Sequence, residues 1–66
     1  MTQTTTQPIS FQGVPAVKQA LAVLRYLADN ATRQGVNAVA RGAGLSPSSC
    51  FNILKTLAAE NFVEFD

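Results

Sequence analysis

The amino-acid sequence predicts a mainly α-helical domain of three short helices followed by the beginning of a strand. Three observations favour this fold class. Apolar residues recur with a helical period in three segments, stretches rich in Asn, Ser, Gly and Pro divide these segments, and the final residues alternate apolar and acidic side chains. The 66 residues are enough for one small domain, which buries only about 60% of its unfolded surface.

The composition argues against an enzyme and against a metal site. Histidine is absent, there is one Cys, and the four carboxylates are scattered: Asp29, Glu60, Glu64 and Asp66. Because neither a metal cluster nor a nucleophile with its base can be assembled from these groups, we expect no catalysis and no cofactor.

We see no secretion signal, no possible internal disulfide, and no apolar run of the roughly 20 residues that span a bilayer. We therefore expect a cytoplasmic protein that makes no membrane contact.

Residues 1–13 predict a flexible N-terminal arm, and the folded domain is expected over residues 14–66. The arm is rich in Thr and Gln, is uncharged and has no sustained apolar period. Its larger apolar groups, Ile9 and Phe11, either pack locally or against a second subunit, or are disordered with the rest of the arm.

The first helix is predicted over about residues 15–30. Pro15 lies in its first turn, where a missing N–H costs nothing. At about 100° per residue, two adjacent apolar stripes are expected to face the core: Val17, Leu21, Leu24 and Ala28, and beside them Ala20, Leu24, Leu27 and Ala31. A polar stripe on the opposite side is expected to be solvated: Lys18, Ala22, Arg25 and Asp29.

The second and third helices are predicted from their start and stop signals. After a loop over residues 30–35, Asn37 is the predicted N-cap of a short helix over residues 38–43. Ser46 can cap the third helix, which has Pro47 at its first position and continues until Asn61. Its apolar face is expected to contain Cys50, Ile53, Leu54 and Leu57. Residues 62–66 then alternate apolar and acidic side chains, as the first strand of a wing would.

Small residues between these two helices have the spacing of a helix-turn-helix. Ala40 lies four residues before Gly44, where the helices would cross most closely, and Gly44 can adopt the positive φ of a sharp turn. Apolar or small residues occupy the positions that would face a shared core: Val39, Ala43, Leu45, Cys50 and Ile53. The pattern predicts a winged helix-turn-helix with the wing only begun, although a hairpin of another helical bundle would also need small residues at a crossing.

The side of the third helix that points away from its apolar face is short and polar. It comprises Ser48, Asn52, Lys55 and Ala59, with Ser49, Phe51 and Thr56 at its edges. Such side chains can read base edges and contact phosphate in a major groove.

Residues 1–59 carry a net charge of +4, which the last three acidic residues reduce to +1. This mild positive field suits phosphate contacts but also fits an ordinary solvated surface.

Two stretches carry a family resemblance, "VPAVKQALAVLRYLA" and "VNAVARGAGLSPSSCFNILKTLAAENFVEFD". Over residues 14–66 the chain resembles the N-terminal winged helix-turn-helix domain of the isocitrate lyase regulator (IclR) family of bacterial transcription factors. The resemblance implies binding to double-stranded operator DNA, at a pseudo-palindromic site, by a homodimer or tetramer. It also implies a small-molecule effector, bound by a separate C-terminal domain that these residues do not include.

The resemblance further implies roles for individual residues. The recognition helix, about residues 47–60, would lie in the major groove and present a polar edge that begins at Ser46. The residues that would contact bases and sugar-phosphate are Ser48, Ser49, Phe51 and Asn52. Those that would contact the DNA backbone are Lys55 and Arg41.

Several of these residues have a second interpretation. Phe51 touches a thymine methyl or the sugars, or it flanks the core. Arg33, in the first loop, and Arg41 contact phosphate or are ordinary solvated surface residues. Cys50 is a sensing thiol or an inert core residue. The low charge and the apolar first helix also favour a winged-helix module that serves protein assembly without binding DNA.

Three positions depart from the family's pattern. Ala16 stands where a polar cap is common, Asn52 where an Arg is frequent, and Asn61 where the third helix commonly ends in Gly. Because Asn pairs with adenine and Arg with guanine, Asn52 implies a different base preference.

Overall fold

The computed structural model describes residues 12–30 and 32–65. Three helices, α1 (Pro15–Asp29), α2 (Val36–Ala43) and α3 (Pro47–Ala59), contact one another in every pair. The predicted mainly α fold class is confirmed. The predicted arm lies outside the described residues except for Gln12 and Gly13. Within the described ranges, no helix has the length and hydropathy to cross a membrane.

The boundaries of α1 agree with the prediction to within one residue. Pro15 follows the extended Val14 and begins the helix without a side-chain cap. Asn30 closes it, because its backbone N–H donates to the Leu27 carbonyl and its side-chain amide donates to the Tyr26 carbonyl at 2.8 Å. These two bonds satisfy carbonyls that the last turn of a helix otherwise leaves open.

The predicted core face of α1 is wrong in its principal stripe. Val23 is the residue of α1 that is fully buried, with Tyr26 and Leu27 packed beside it, whereas Val17 and Leu21 are 54% and 44% exposed. Small and apolar residues occupy more than half of the circumference of this helix, outside the polar stripe of Lys18, Arg25 and Asp29, so the period alone does not select the buried face. On the buried side of α1, Tyr26 packs against Gly42 and donates to Gln34.

The predicted cap of α2 is also wrong. The helix begins at Val36, and Gly35, in an extended conformation, takes the N-cap position without a side-chain hydrogen bond. The Val39 N–H donates to the Gly35 carbonyl at 3.0 Å, which starts the helical bonding before Asn37. Asn37 is therefore an exposed residue of the first turn.

The turn between α2 and α3 agrees with the prediction. Gly44 has φ 75° and ψ 35°, and the next amide, that of Leu45, donates to the Ala40 carbonyl at 2.8 Å. This is the Schellman arrangement, in which a left-handed residue ends the helix. Ser46 then caps α3, because its Oγ accepts from the Ser49 N–H at 3.2 Å, and Pro47 begins the helix.

The same arrangement ends α3 at Ala59, slightly before the predicted end. Asn61 has φ 67°, and the Phe62 N–H donates to the Leu57 carbonyl at 2.8 Å. Asn is the residue that tolerates the left-handed region best after Gly, so it replaces the glycine that is common in the family.

Residues 62–65 form no strand with any other described residue. The alternation is nevertheless present, since Val63 and Phe65 pack against the core while Glu64 is exposed. A strand also needs a neighbouring strand to pair its backbone groups, and α3 offers none. The wing therefore stays a prediction.

The core is small and apolar. Its buried members, which include no polar side chain among the described residues, are Val23, Val39, Ala40, Cys50 and Leu54. The predicted core positions of the helix-turn-helix are confirmed, because Val39 and Cys50 are buried and Ala43, Leu45 and Ile53 pack against them. The core therefore fixes α3 through one face only.

Candidate nucleic-acid interface

The exposed side of α3 lies opposite Cys50 and Leu54, as the helical period predicts. It presents Ser48, Asn52, Lys55 and Ala59 to solvent, with Ser49 half-buried at the edge. The cap at Ser46 and the core contacts of Cys50 and Leu54 fix this helix at its start and along its length. A polar face is thereby presented on a rigid element.

Ser46 has a structural role that the sequence also predicted. Its Oγ accepts the Ser49 N–H, so the side chain is held at the start of α3. The hydroxyl keeps its own hydrogen, which can still be donated to another group. Capping and a contact with phosphate are therefore compatible.

Asn52 lies in the middle of the exposed side. Its backbone carbonyl accepts from the Thr56 hydroxyl at 2.9 Å, while no described residue hydrogen-bonds to its side-chain amide. The residue also borders a shallow groove of about 230 Å³ between α1 and α3. Besides Asn52 and Thr56, the groove is lined by apolar side chains: Ala16, Ala20, Ile53 and Leu57. The amide is thus available for an external partner.

Phe51 lies at one edge of the exposed side and contacts Lys55, which belongs to that side. The Lys55 ammonium is 5.1 Å from the centroid of the Phe51 ring. That ring also makes an edge-to-face contact with Phe65, with the centroids 5.6 Å apart and the planes at 70°. Phe51 is 42% exposed, so it both packs and faces solvent.

Phe65 is a neighbour of the candidate site that the sequence analysis did not assign. The alternation of residues 62–66 gave the signal that Phe65 shares a face with Val63. What the sequence did not show is the reversal at Asn61, which returns this segment alongside α3.

The two candidate arginines lie outside α3. Arg41 is exposed in the last turn of α2, where a cation interacts favourably with the helix dipole. Arg33 is exposed in the loop between α1 and α2 and lines a cleft of about 600 Å³ together with Glu64 and Phe65. Neither arginine is part of the polar face of α3.

Cys50 is an inert core residue in this fold. It is fully buried on the inner face of α3, and burial raises the pKa of its thiol. A thiol that stays protonated is a poor nucleophile and a poor metal ligand. In the described parts of the chain, no group of three or more His, Cys, Asp or Glu residues could hold a metal ion.

Tyr26 fixes the position of α2, a role that the sequence analysis missed. Its hydroxyl donates to the Gln34 side chain at 2.9 Å, and its ring lies so close to Gly42 that a Cβ there would overlap it. A glycine inside a helical pattern was the available signal, because it often marks a close approach. Val23, one turn before Tyr26 on the same side of α1, is fully buried, whereas Val17 is 54% exposed.

Comparison with known families gives a match over most of the chain. Residues 16–66, more than three quarters of the chain, match the family described as the IclR helix-turn-helix domain. No curated protein and no solved structure matches the chain.

Proposed function

The chain belongs to the IclR helix-turn-helix family, whose domains bind DNA in transcription regulators and are not catalytic, and we propose that it recognises a specific duplex sequence with α3 in the major groove. The exposed face of α3 is the observation that supports this proposal. Its side chains are short and polar, and the amide of Asn52 has no hydrogen-bond partner among the described residues. Such an amide can pair with both N6 and N7 of adenine.

The dimensions of α3 suit this mode of binding. Its 13 residues extend about 20 Å, and an α-helix fits the roughly 12 Å width of the major groove. In helix-turn-helix proteins the N-terminal part of the second helix contacts bases while the preceding helix crosses the DNA backbone. On that plan Ser48, Ser49 and Asn52 face the bases, and Arg41 faces a phosphate.

We assign the remaining candidate residues to backbone contacts. Lys55 and Arg33 carry charges that can neutralise phosphates, and the Ser46 hydroxyl can donate to one. Phe51 has enough exposed surface to touch a sugar or a thymine methyl beside Lys55.

A homodimer on a pseudo-palindromic operator is part of the proposal. An exposed apolar stripe along α1, formed by Val17, Leu21 and the preceding N-cap residue Val14, offers a surface that a second copy can cover. Two half-sites one helical turn apart would then be read by two copies of α3. A small-molecule effector would act through a separate domain.

Selection of duplexes from a random library, followed by fluorescence anisotropy at several salt concentrations, tests the proposal. The chain is expected to enrich one sequence pattern. Affinity should fall with salt at a slope of about −0.9 per phosphate contacted. Failure to bind any duplex at low salt would contradict DNA binding, and binding without enrichment would contradict sequence specificity.

A second candidate function, protein assembly without DNA binding, is favoured by the same apolar stripe on α1. Leu21→Glu should abolish such assembly, which analytical ultracentrifugation would detect. A chain that self-associates through Leu21 and binds no duplex would support this second function.

A further inference from the structure

The segment after α3 returns along that helix. The Phe62 N–H bonds to the Leu57 carbonyl, and the Phe65 ring contacts Phe51. Three extended residues advance about 10 Å and six helical residues about 9 Å, so the two lengths match. Residues 62–65 therefore lie antiparallel to α3 and reach its N-terminal half.

The Phe51 ring is shared by two partners from different parts of the chain. Lys55 follows Phe51 by four residues, so the two side chains are neighbours on one side of α3. Phe65 approaches the same ring from the returning segment. Because Phe65 packs against the core, it restricts a ring that would otherwise be free to change rotamer at the surface.

We infer that Phe65 is a positioning residue for DNA binding, which through Phe51 holds the Lys55 ammonium beside the exposed face of α3. The inference rests on the proposed function. A lysine side chain loses rotamer freedom when it binds a phosphate, and a lysine that is already restricted loses less. The ammonium has three N–H donors, so the contact with the ring leaves donors for a phosphate oxygen.

The arrangement can be tested without DNA. In NMR spectra of the full chain, ring currents should shift the Lys55 side-chain protons nearest the ammonium upfield. Phe51→Leu should remove the shift, and Phe65→Leu should reduce it. Phe62→Leu is the matched control, because Phe62 is 67% exposed and contacts no described aromatic ring. It should leave the shift unchanged.

The functional role is tested by a double-mutant cycle on a mixed-sequence duplex. Phe65→Leu should weaken binding roughly two- to ten-fold, because that is the loss of affinity expected when one long side chain must be ordered on binding. The same substitution in a Lys55→Ala chain should have almost no effect. Phe62→Leu should have no effect in either background. Thermal unfolding monitored by circular dichroism checks that each variant is folded at the temperature of the binding measurement.

The possible outcomes separate the two proposals. A loss that depends on Lys55 supports the positioning role. An equal loss with and without Lys55, or no loss, overturns it while leaving DNA binding intact. If the unaltered chain binds no duplex, the proposed function fails and the positioning role fails with it, whatever the NMR shifts show.

Discussion

The two faces of α3 differ in burial, polarity and partners. The inner face, at Cys50 and Leu54, is apolar and almost inaccessible. The outer face, at Ser48, Asn52 and Lys55, is exposed and polar. Because one helix carries both, substitutions on the inner face should change the free energy of unfolding, and substitutions on the outer face should change affinity for DNA. The outer face can therefore change its side chains without rebuilding the core that holds the helix.

The largest expected effect is on the inner face. Leu54 is 4% exposed, so Leu54→Ala should lower the free energy of unfolding by about 2–5 kcal/mol. Leu21→Ala is the matched control, because Leu21 is 44% exposed and its truncation should lower the free energy of unfolding much less. Urea denaturation followed by circular dichroism measures both. Similar losses at the two leucines would show that the apolar stripe of α1 is buried after all.

A smaller loss is expected where α2 approaches α1. Gly42→Ala would place a Cβ against the Tyr26 ring and should cost about 1–3 kcal/mol of stability, as overpacking does. Gly35→Ala is the control, since a Cβ there meets no atom within 4 Å. A neutral result for Gly42→Ala would show that Tyr26 moves aside freely and does not fix α2.

The turns that end α2 and α3 give the smallest expected change. Gly44→Ala should destabilise the fold by about 1–2 kcal/mol, because alanine is strained at φ 75°. Asn61→Gly, at φ 67°, should be neutral or slightly stabilising for the same reason. Thermal unfolding of both variants checks this pair. If Asn61→Gly proved the more destabilising, the similarity between the two turns would be contradicted.

The sequence predicted the helix-turn-helix well because its signals there are local. The positive φ of Gly44 and the cap at Ser46 depend on residues within a few positions, and both are confirmed. The cap at Asn37 was wrong because Gly35 begins the hydrogen bonding of α2 earlier.

The face of α1 and the surroundings of the site could not be predicted in this way. Val23 is buried on the side of α1 where Tyr26 packs against Gly42 of α2 and donates to Gln34 in the preceding loop. Phe65 is fourteen positions after Phe51 in the sequence and reaches it because the chain reverses at Asn61. Contacts of this kind are set by tertiary packing, and periodicity carries no information about them. The outward direction of Asn52 was predictable, because it follows from the helical period once the inner face is known.

The central claim is that the outer face of α3 reads bases, and Asn52→Ala tests it most directly. Anisotropy titrations would compare the variant with the unaltered chain on a selected site and on a mixed-sequence duplex at one salt concentration. We predict a loss of about 1–3 kcal/mol on the selected site, little change on the mixed duplex and an unchanged free energy of unfolding. Equal losses on the two duplexes would contradict base reading by Asn52.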